Sequence, residues 1–137
     1  MMKRMLVVLL GLVAATAAWA QIKVVYHVNE GIAQAARSLP NIRNHLAADP
    51  TVKIVVVTHG PGIDFLLDAA VNPKGQPFSG DVADLVARGV EFRVCNNTLQ
   101  NRNISKDKVA MEAQIVPSGV AEVARLQAKD GFVYLRP

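Results

Sequence analysis

The run Lys53-Ile54-Val55-Val56-Val57-Thr58 constrains the fold more than any other stretch. Its four consecutive aliphatic residues, three of them Val, suit a central strand covered on both faces, which is the pattern of parallel sheets flanked by helices. Lys23–Val28 has the same near-continuous apolar character and predicts another such strand. Val90–Cys95, Gln114–Pro117 and Phe132–Leu135 predict three more. Pro117 has no N–H to give a ladder, so the fourth strand should stop there.

Helical segments fill the gaps. Ile32, Ala35, Ala36, Leu39, Ile42, Leu46 and Ala47 recur at helical spacing over Ile32–Ala48; Pro40 either kinks one helix or restarts it after Ser38, and a kinked helix ending at Asp49-Pro50 is expected. Ile63–Val71 predicts a short helix, and Val82–Arg88 another, capped from Ser79-Gly80-Asp81. Asn96-Asn97-Thr98 offers caps for a helical turn after Cys95, and Ser105 for a helix from Lys106 to about Glu112. Ser118-Gly119 opens a helix over Val120–Ala128, closed by Lys129-Asp130-Gly131. Asn72-Pro73-Lys74-Gly75-Gln76-Pro77 is expected as a mobile surface excursion. Strands separated by helices require crossovers, hence one mainly parallel sheet with helices on both faces. The loops that follow the strands then gather at one edge, where ligand crevices form in such sheets.

Residues 1–20 predict a cleavable secretory signal. Lys3 and Arg4 form a basic start, Leu6–Ala18 an apolar run, and Ala18-Trp19-Ala20 a small-x-small cleavage site. The run is shorter than the roughly 20 residues of a spanning helix, so the membrane is expected to be met only during export. Residues 21–137 are then one exported α/β domain, expected in the periplasm. The formal charge of +4 drops with the signal, leaving thirteen basic against eleven acidic residues. No basic cluster interleaved with aromatics remains, which points away from nucleic acid.

An exported chain with one cysteine cannot close an internal disulfide. Cys95 is therefore a buried apolar residue, an intermolecular partner, or a free reactive thiol. Its place at a strand's end, before Asn96-Asn97-Thr98, suits a thiolate fed by the N–H groups of the next turn. With no Cys-x-x-Cys, a self-contained dithiol cycle is excluded. His59 could orient Cys95 or take its proton if their strands are adjacent; otherwise it is a loop residue bonded to backbone. Gly60-Pro61-Gly62 and Ser118-Gly119 could present N–H groups to an anion or simply turn the chain. His27 falls inside a strand and His45 inside a helix, and no metal-ligand spacing or cofactor fingerprint is present.

Several stretches together resemble one family. They are Val-Val-Tyr-His-Val, Val-Val-Val-Thr-His-Gly-Pro-Gly, Gly-Val-Glu-Phe-Arg-Val-Cys-Asn-Asn-Thr-Leu, and Val-Pro-Ser-Gly-Val-Ala-Glu-Val-Ala-Arg-Leu-Gln before Gly-Phe-Val-Tyr-Leu. In order and spacing, from Ile22 to Pro137, the chain resembles the DsrE/DsrF-like proteins, in the exported branch with a signal sequence. The resemblance implies a three-layer α/β/α Rossmann-like domain with a five-stranded parallel sheet that assembles into oligomers. It also implies, from the sulfur-relay members, a cysteine that carries sulfur as a persulfide and passes it to a partner; Cys95 matches that position.

Three functions are carried forward. The first is a periplasmic sulfur carrier or sulfurtransferase-like protein, needing no cofactor, in which His59, Asn97 and Thr98 hold or polarise sulfur on Cys95 and a thiol protein donates or accepts it. The second is a non-catalytic oligomeric module that binds a small ligand or anion at the strand-end edge near Gly60, Ser118 and Gly119, with Cys95 structural. The third is a redox sensor forming an intermolecular disulfide. The first requires a Cys95 sulfur at the rim of the sheet, reachable from outside.

Overall fold

The computed structural model describes residues 19–137. Apart from Trp19 and Ala20, the expected signal segment lies outside the described residues. The elements in order are β1 (Lys23–Val28), α1 (Ile32–Ala48), β2 (Lys53–Thr58), a 3-10 segment (Gly60–Leu66), α2 (Ser79–Ala87), β3 (Glu91–Cys95), α3 (Asn96–Asn101), a 3-10 turn (Lys106–Lys108), β4 (Ala113–Val116), α4 (Gly119–Asp130) and β5 (Val133–Leu135). All five strands pair in parallel, in the order β4-β3-β2-β1-β5. The expected α/β sheet with helices on both faces is the fold found.

Alternation along the strands divides the core. Val24, Tyr26, Val28, Ile54, Val56, Phe92 and Val94 face one side, where α1, the 3-10 segment, α2 and Leu99 of α3 cover them. Each large side chain buried there, such as Phe92 or Leu39, contributes about 1.5–3 kcal/mol. Val25, Val55 and Val57 face the other side, where Leu126 of α4 and Phe132 cover them. Among the described residues, one layer is thus thick, and the other is a single helix.

This asymmetry places a crevice. The chain steps from β1 to β4 with its connections on the thick side, then returns across the thin side through α4 to put β5 beside β1. The connection leaving β3 goes to one face and the connection leaving β4 to the other. That divergence is a topological switch point, outside the carboxyl ends of the strands. Cys95 ends β3 and pairs with Val116, which ends β4, so both lie at this point.

Pro40 lies within one helix spanning Ile32–Ala48, which agrees with the single-helix alternative. Several other local expectations are corrected. Ile63–Val71 is not an α-helix: a 3-10 segment ends at Leu66, and Leu67 then bridges to Val109. The Leu66 carbonyl accepts the Ala110 N–H, and the Lys108 carbonyl accepts the Asp68 N–H. The same pairing reduces the expected helix from Lys106 to Glu112 to one 3-10 turn. The Asn72–Pro77 excursion lies at the surface, as expected, and closes as a hairpin, with Val71 bridged to Pro77 and the Asn72 carboxamide oxygen accepting the N–H of Lys74 and Gln76. Ser79 lies inside α2 rather than capping it, because the buried Phe78 takes the cap position.

Arg93 locks α4 onto the sheet. Its side chain is 13% exposed and pairs with Glu122 of α4 and, at 2.6 Å, with Glu91. Glu122 also binds Arg125 at 2.8 Å. The Arg125 hydrogen bond is the largest influence on the Glu122 carboxyl, and with Arg93 it outweighs burial and holds the group below its ordinary pKa. A carboxyl depressed in this way stabilises the fold above its ordinary pKa, and that contribution is lost as pH falls through the folded value. Glu122→Gln should therefore cost about 1–3 kcal/mol at neutral pH, with the gap from wild type closing under acid. Urea denaturation at several pH values checks this.

Candidate functional site

Cys95 is the last residue of β3 and the N-cap of α3, with extended backbone dihedrals. It points to the thin side of the sheet, in register with Val116 and two residues after Arg93. From there it meets the start of α4. Ser118 caps that helix, its hydroxyl oxygen accepting the Ala121 N–H at 3.3 Å, which fixes where Gly119 begins the first turn. Gly119 is buried against the site. A Cβ built on it would lie 3.0 Å from the Thr58 carbonyl oxygen, 3.0 Å from His59 Cβ and 3.2 Å from Cys95 Cβ. Only a residue without a side chain lets the helix approach this closely.

The thiol is surrounded by donors. Burial pushes its pKa up, but the Gly119 N–H, the Thr98 hydroxyl and the N–H groups of Thr98 and Asn97 together outweigh burial and bring it below the ordinary thiol value. These groups come from the starts of two helices, α3 and α4, whose first N–H groups have no partner within the helix. Thr98 is arranged for the role. Its oxygen accepts the Gly60 N–H at 2.9 Å, which leaves the hydroxyl proton free to point at sulfur.

The sequence-predicted residues therefore converge. Asn97, Thr98 and Gly119 act on the sulfur, Gly60 orients Thr98, Ser118 sets the helix that carries Gly119, and His59 lines the same gap. One expectation is corrected: the thiol is not open at the rim. Cys95 is 5% exposed, because Gly119 and the chain at His59 close over it. Its cover is polar, and it belongs to neither apolar cluster among the described residues. A shallow cavity of about 180 Å³ is lined by its chain neighbour Asn96 and by Lys106, Ile115, Val116 and Pro117, without Cys95 itself.

Sequence reasoning missed two residues. His27 Nε2 lies 2.7 Å from His59 Nε2, and His27 Nδ1 lies 2.6 Å from the Tyr134 hydroxyl. Burial holds the pKa of both imidazoles below the ordinary value, and His59 and Arg136 depress His27 further. The signal that could have found them is register. His27 pairs with Val57, two residues before His59, and Tyr134 pairs with Val25, two before His27, so all three share a face once β5 is placed beside β1.

Among solved structures, the chain is similar to a protein of unknown function, MTH1491 from Methanobacterium thermoautotrophicum. That likeness has 30% identity over 85% of this chain and 100% of the other, at a TM-score of 0.75. The ychN protein from E. coli shares the fold at 16% identity, over 86% of this chain and 100% of the other, with a TM-score of 0.70. No curated protein matches the chain. The model of the DsrE/DsrF-like family matches residues 10–136, and the chain belongs to that family.

Proposed function

We propose that this protein is exported to the periplasm and carries sulfane sulfur as a persulfide on Cys95, giving it to a partner thiol. The observation that carries this reading is the ring of donors on one sulfur atom. Three N–H groups and a hydroxyl outweigh the cost of burial and favour the anion. A thiolate, not a thiol, attacks sulfur.

The step balances without a redox cofactor. Cys95 gives up its proton, and its Sγ attacks the outer sulfur of a donor persulfide. The donor's sulfur–sulfur bond breaks, a Cys95 persulfide forms, and the departing thiolate takes up one proton. Delivery to an acceptor is the same exchange in reverse. The donors that hold the thiolate can equally hold the persulfide anion. Assembly into homo-oligomers belongs to the same reading, and sedimentation velocity measures it.

The 5% exposure of Cys95 favours a second reading, a non-catalytic module in which the cysteine only packs. Intact-mass spectrometry after incubation with polysulfide separates the two. The persulfide reading expects a reducible, sulfur-sized addition on the wild type and none on Cys95→Ser. No addition under native conditions, with full addition only after unfolding, assigns Cys95 a packing role. Localisation is checked by fractionating cells that express the full chain and sequencing the mature N-terminus.

A further inference from the structure

A thiol covered on every side must lose a proton before it can attack anything. Solvent does not reach Cys95 freely. A chain of hydrogen bonds begins beside it and ends at the surface. His59 borders the same gap at Gly119 as Cys95: a Cβ built on Gly119 would lie 3.0 Å from His59 Cβ and 3.2 Å from Cys95 Cβ. His59 Nε2 meets His27 Nε2 at 2.7 Å, and His27 Nδ1 meets the Tyr134 hydroxyl at 2.6 Å. Tyr134 is 40% exposed on the edge strand.

We infer that His59, His27 and Tyr134 form a proton wire between Cys95 and solvent, with His27 and Tyr134 as positioning residues. The inference rests on the persulfide reading and extends it.

The contact geometry defines two states. Two Nε2 atoms in contact require one ring to donate and the other to accept. In the first state His59 Nε2–H donates to His27 Nε2, and His27 Nδ1–H donates to the Tyr134 oxygen. His59 Nδ1 then has a free lone pair and accepts the Cys95 proton. As that proton arrives, the Nε2 proton of His59 passes to His27, the Nδ1 proton of His27 passes to Tyr134, and Tyr134 releases its own to water. The second state has the opposite direction throughout: Tyr134 donates to His27 Nδ1, and His27 Nε2–H donates to His59. No group ends charged except the Cys95 thiolate, and run backwards the wire returns one proton to the departing thiolate.

Both imidazoles start neutral, as the wire requires, because burial keeps their pKa values low. The ionisable groups around them are few. Tyr134 and Arg136 face His27 from β5 and the chain after it, and Arg136 is paired with Glu30. Cys95, at the end of β3, borders the same Gly119 gap as His59. Arg102, paired with Asp64 at 2.6 Å, reaches the Gly60 carbonyl at 3.4 Å on the other flank. Protonating either ring fills the lone pair that the wire needs, so the rate should fall on the acid side.

The test is the rate of Cys95 loading by polysulfide, followed by intact mass from pH 5 to pH 9. Tyr134→Phe keeps the ring on an exposed position and removes only the hydroxyl. It should slow loading about 5- to 10-fold near neutrality, while the final extent is unchanged. His27→Gln should slow loading about 10- to 100-fold near neutrality, reaching at most the low end of the usual range for acid–base assistance, and should leave only the acid-side fall that follows protonation of Cys95 itself. If His27→Gln fails to fold, Tyr134→Phe decides alone. Wild-type rates and pH profiles in variants that fold and load would overturn the wire and leave the persulfide reading standing. A wild type that never loads would overturn that reading itself.

Discussion

Gly62→Ala is expected to be the most destabilising conservative substitution in the chain, costing more than about 3 kcal/mol. The new Cβ would lie 2.0 Å from the Val28 carbonyl oxygen, 2.4 Å from its carbon and 2.6 Å from Asn29 Cα. These are backbone atoms at the end of β1, and no rotamer change relieves the clash. Either the 3-10 segment lifts off the strand or the strand end moves, and both carry buried residues, Ile63 and Phe65 on one and Val28 on the other. Movement there would also disturb the His59 N–H bond to the Val28 carbonyl, 3.4 Å long. Gly80→Ala is the control. It lies in α2 with nothing within 4 Å of its Cβ, and alanine there should be neutral or stabilising by about 0.5–1 kcal/mol. Urea denaturation reads both as midpoint shifts at constant slope. A Gly62→Ala midpoint within about 1 kcal/mol of wild type would show that the strand end and the 3-10 segment are not held as described.

Gly62 also marks what local reasoning can and cannot see. Gly60-Pro61-Gly62 is legible as a turn after β2. That its last glycine lies against the end of β1 depends on how two strands are placed. The same division runs through the fold. The aliphatic run of β2 and the spacing in α1 are local, so both were predicted within a residue or two. The helices expected over Ile63–Val71 and Lys106–Glu112 failed because the Leu67–Val109 bridge, between residues distant in sequence, claims their backbone groups. At the site, Cys95, Asn97 and Thr98 are neighbours in sequence, and their grouping follows from one strand end and one turn. Gly119 reaches the sulfur only because α4 crosses the opposite face of the sheet. Nothing local distinguishes His27 from any other strand histidine. Its role depends on β5 being next to β1, a consequence of the chain's return across the thin layer.

Gly119→Ala should then strike the chemistry harder than the fold. The added methyl meets the Thr58 carbonyl and His59 Cβ at 3.0 Å and Cys95 Cβ at 3.2 Å, contacts that require a shift of a few tenths of an ångström. The freedom to move lies with the first turn of α4, held to the sheet by Arg93 and Glu122 further along the helix. Retreat of that turn lengthens the Gly119 N–H contact to sulfur. Burial, which pushes the thiol pKa up, remains, while the first of the donors that bring it down is weakened. The thiol pKa must therefore rise, and the thiolate fraction near neutrality must fall. Alkylation by iodoacetamide at pH 7.5 should slow about 5- to 10-fold, and so should polysulfide loading. Stability carries the same sign. A thiol whose folded pKa lies below its unfolded value adds stability as pH rises from the folded to the ordinary thiol value, and loses it as pH falls back. Wild type should gain along that interval, Gly119→Ala should gain less, and Cys95→Ser should not gain from this group at all. Thr98→Val, which removes the hydroxyl donor without touching α4, should slow alkylation in the same direction. If both variants alkylate at the wild-type rate across the pH range, the surrounding N–H and hydroxyl groups do not govern the sulfur, and Cys95 at the switch point is a packing residue.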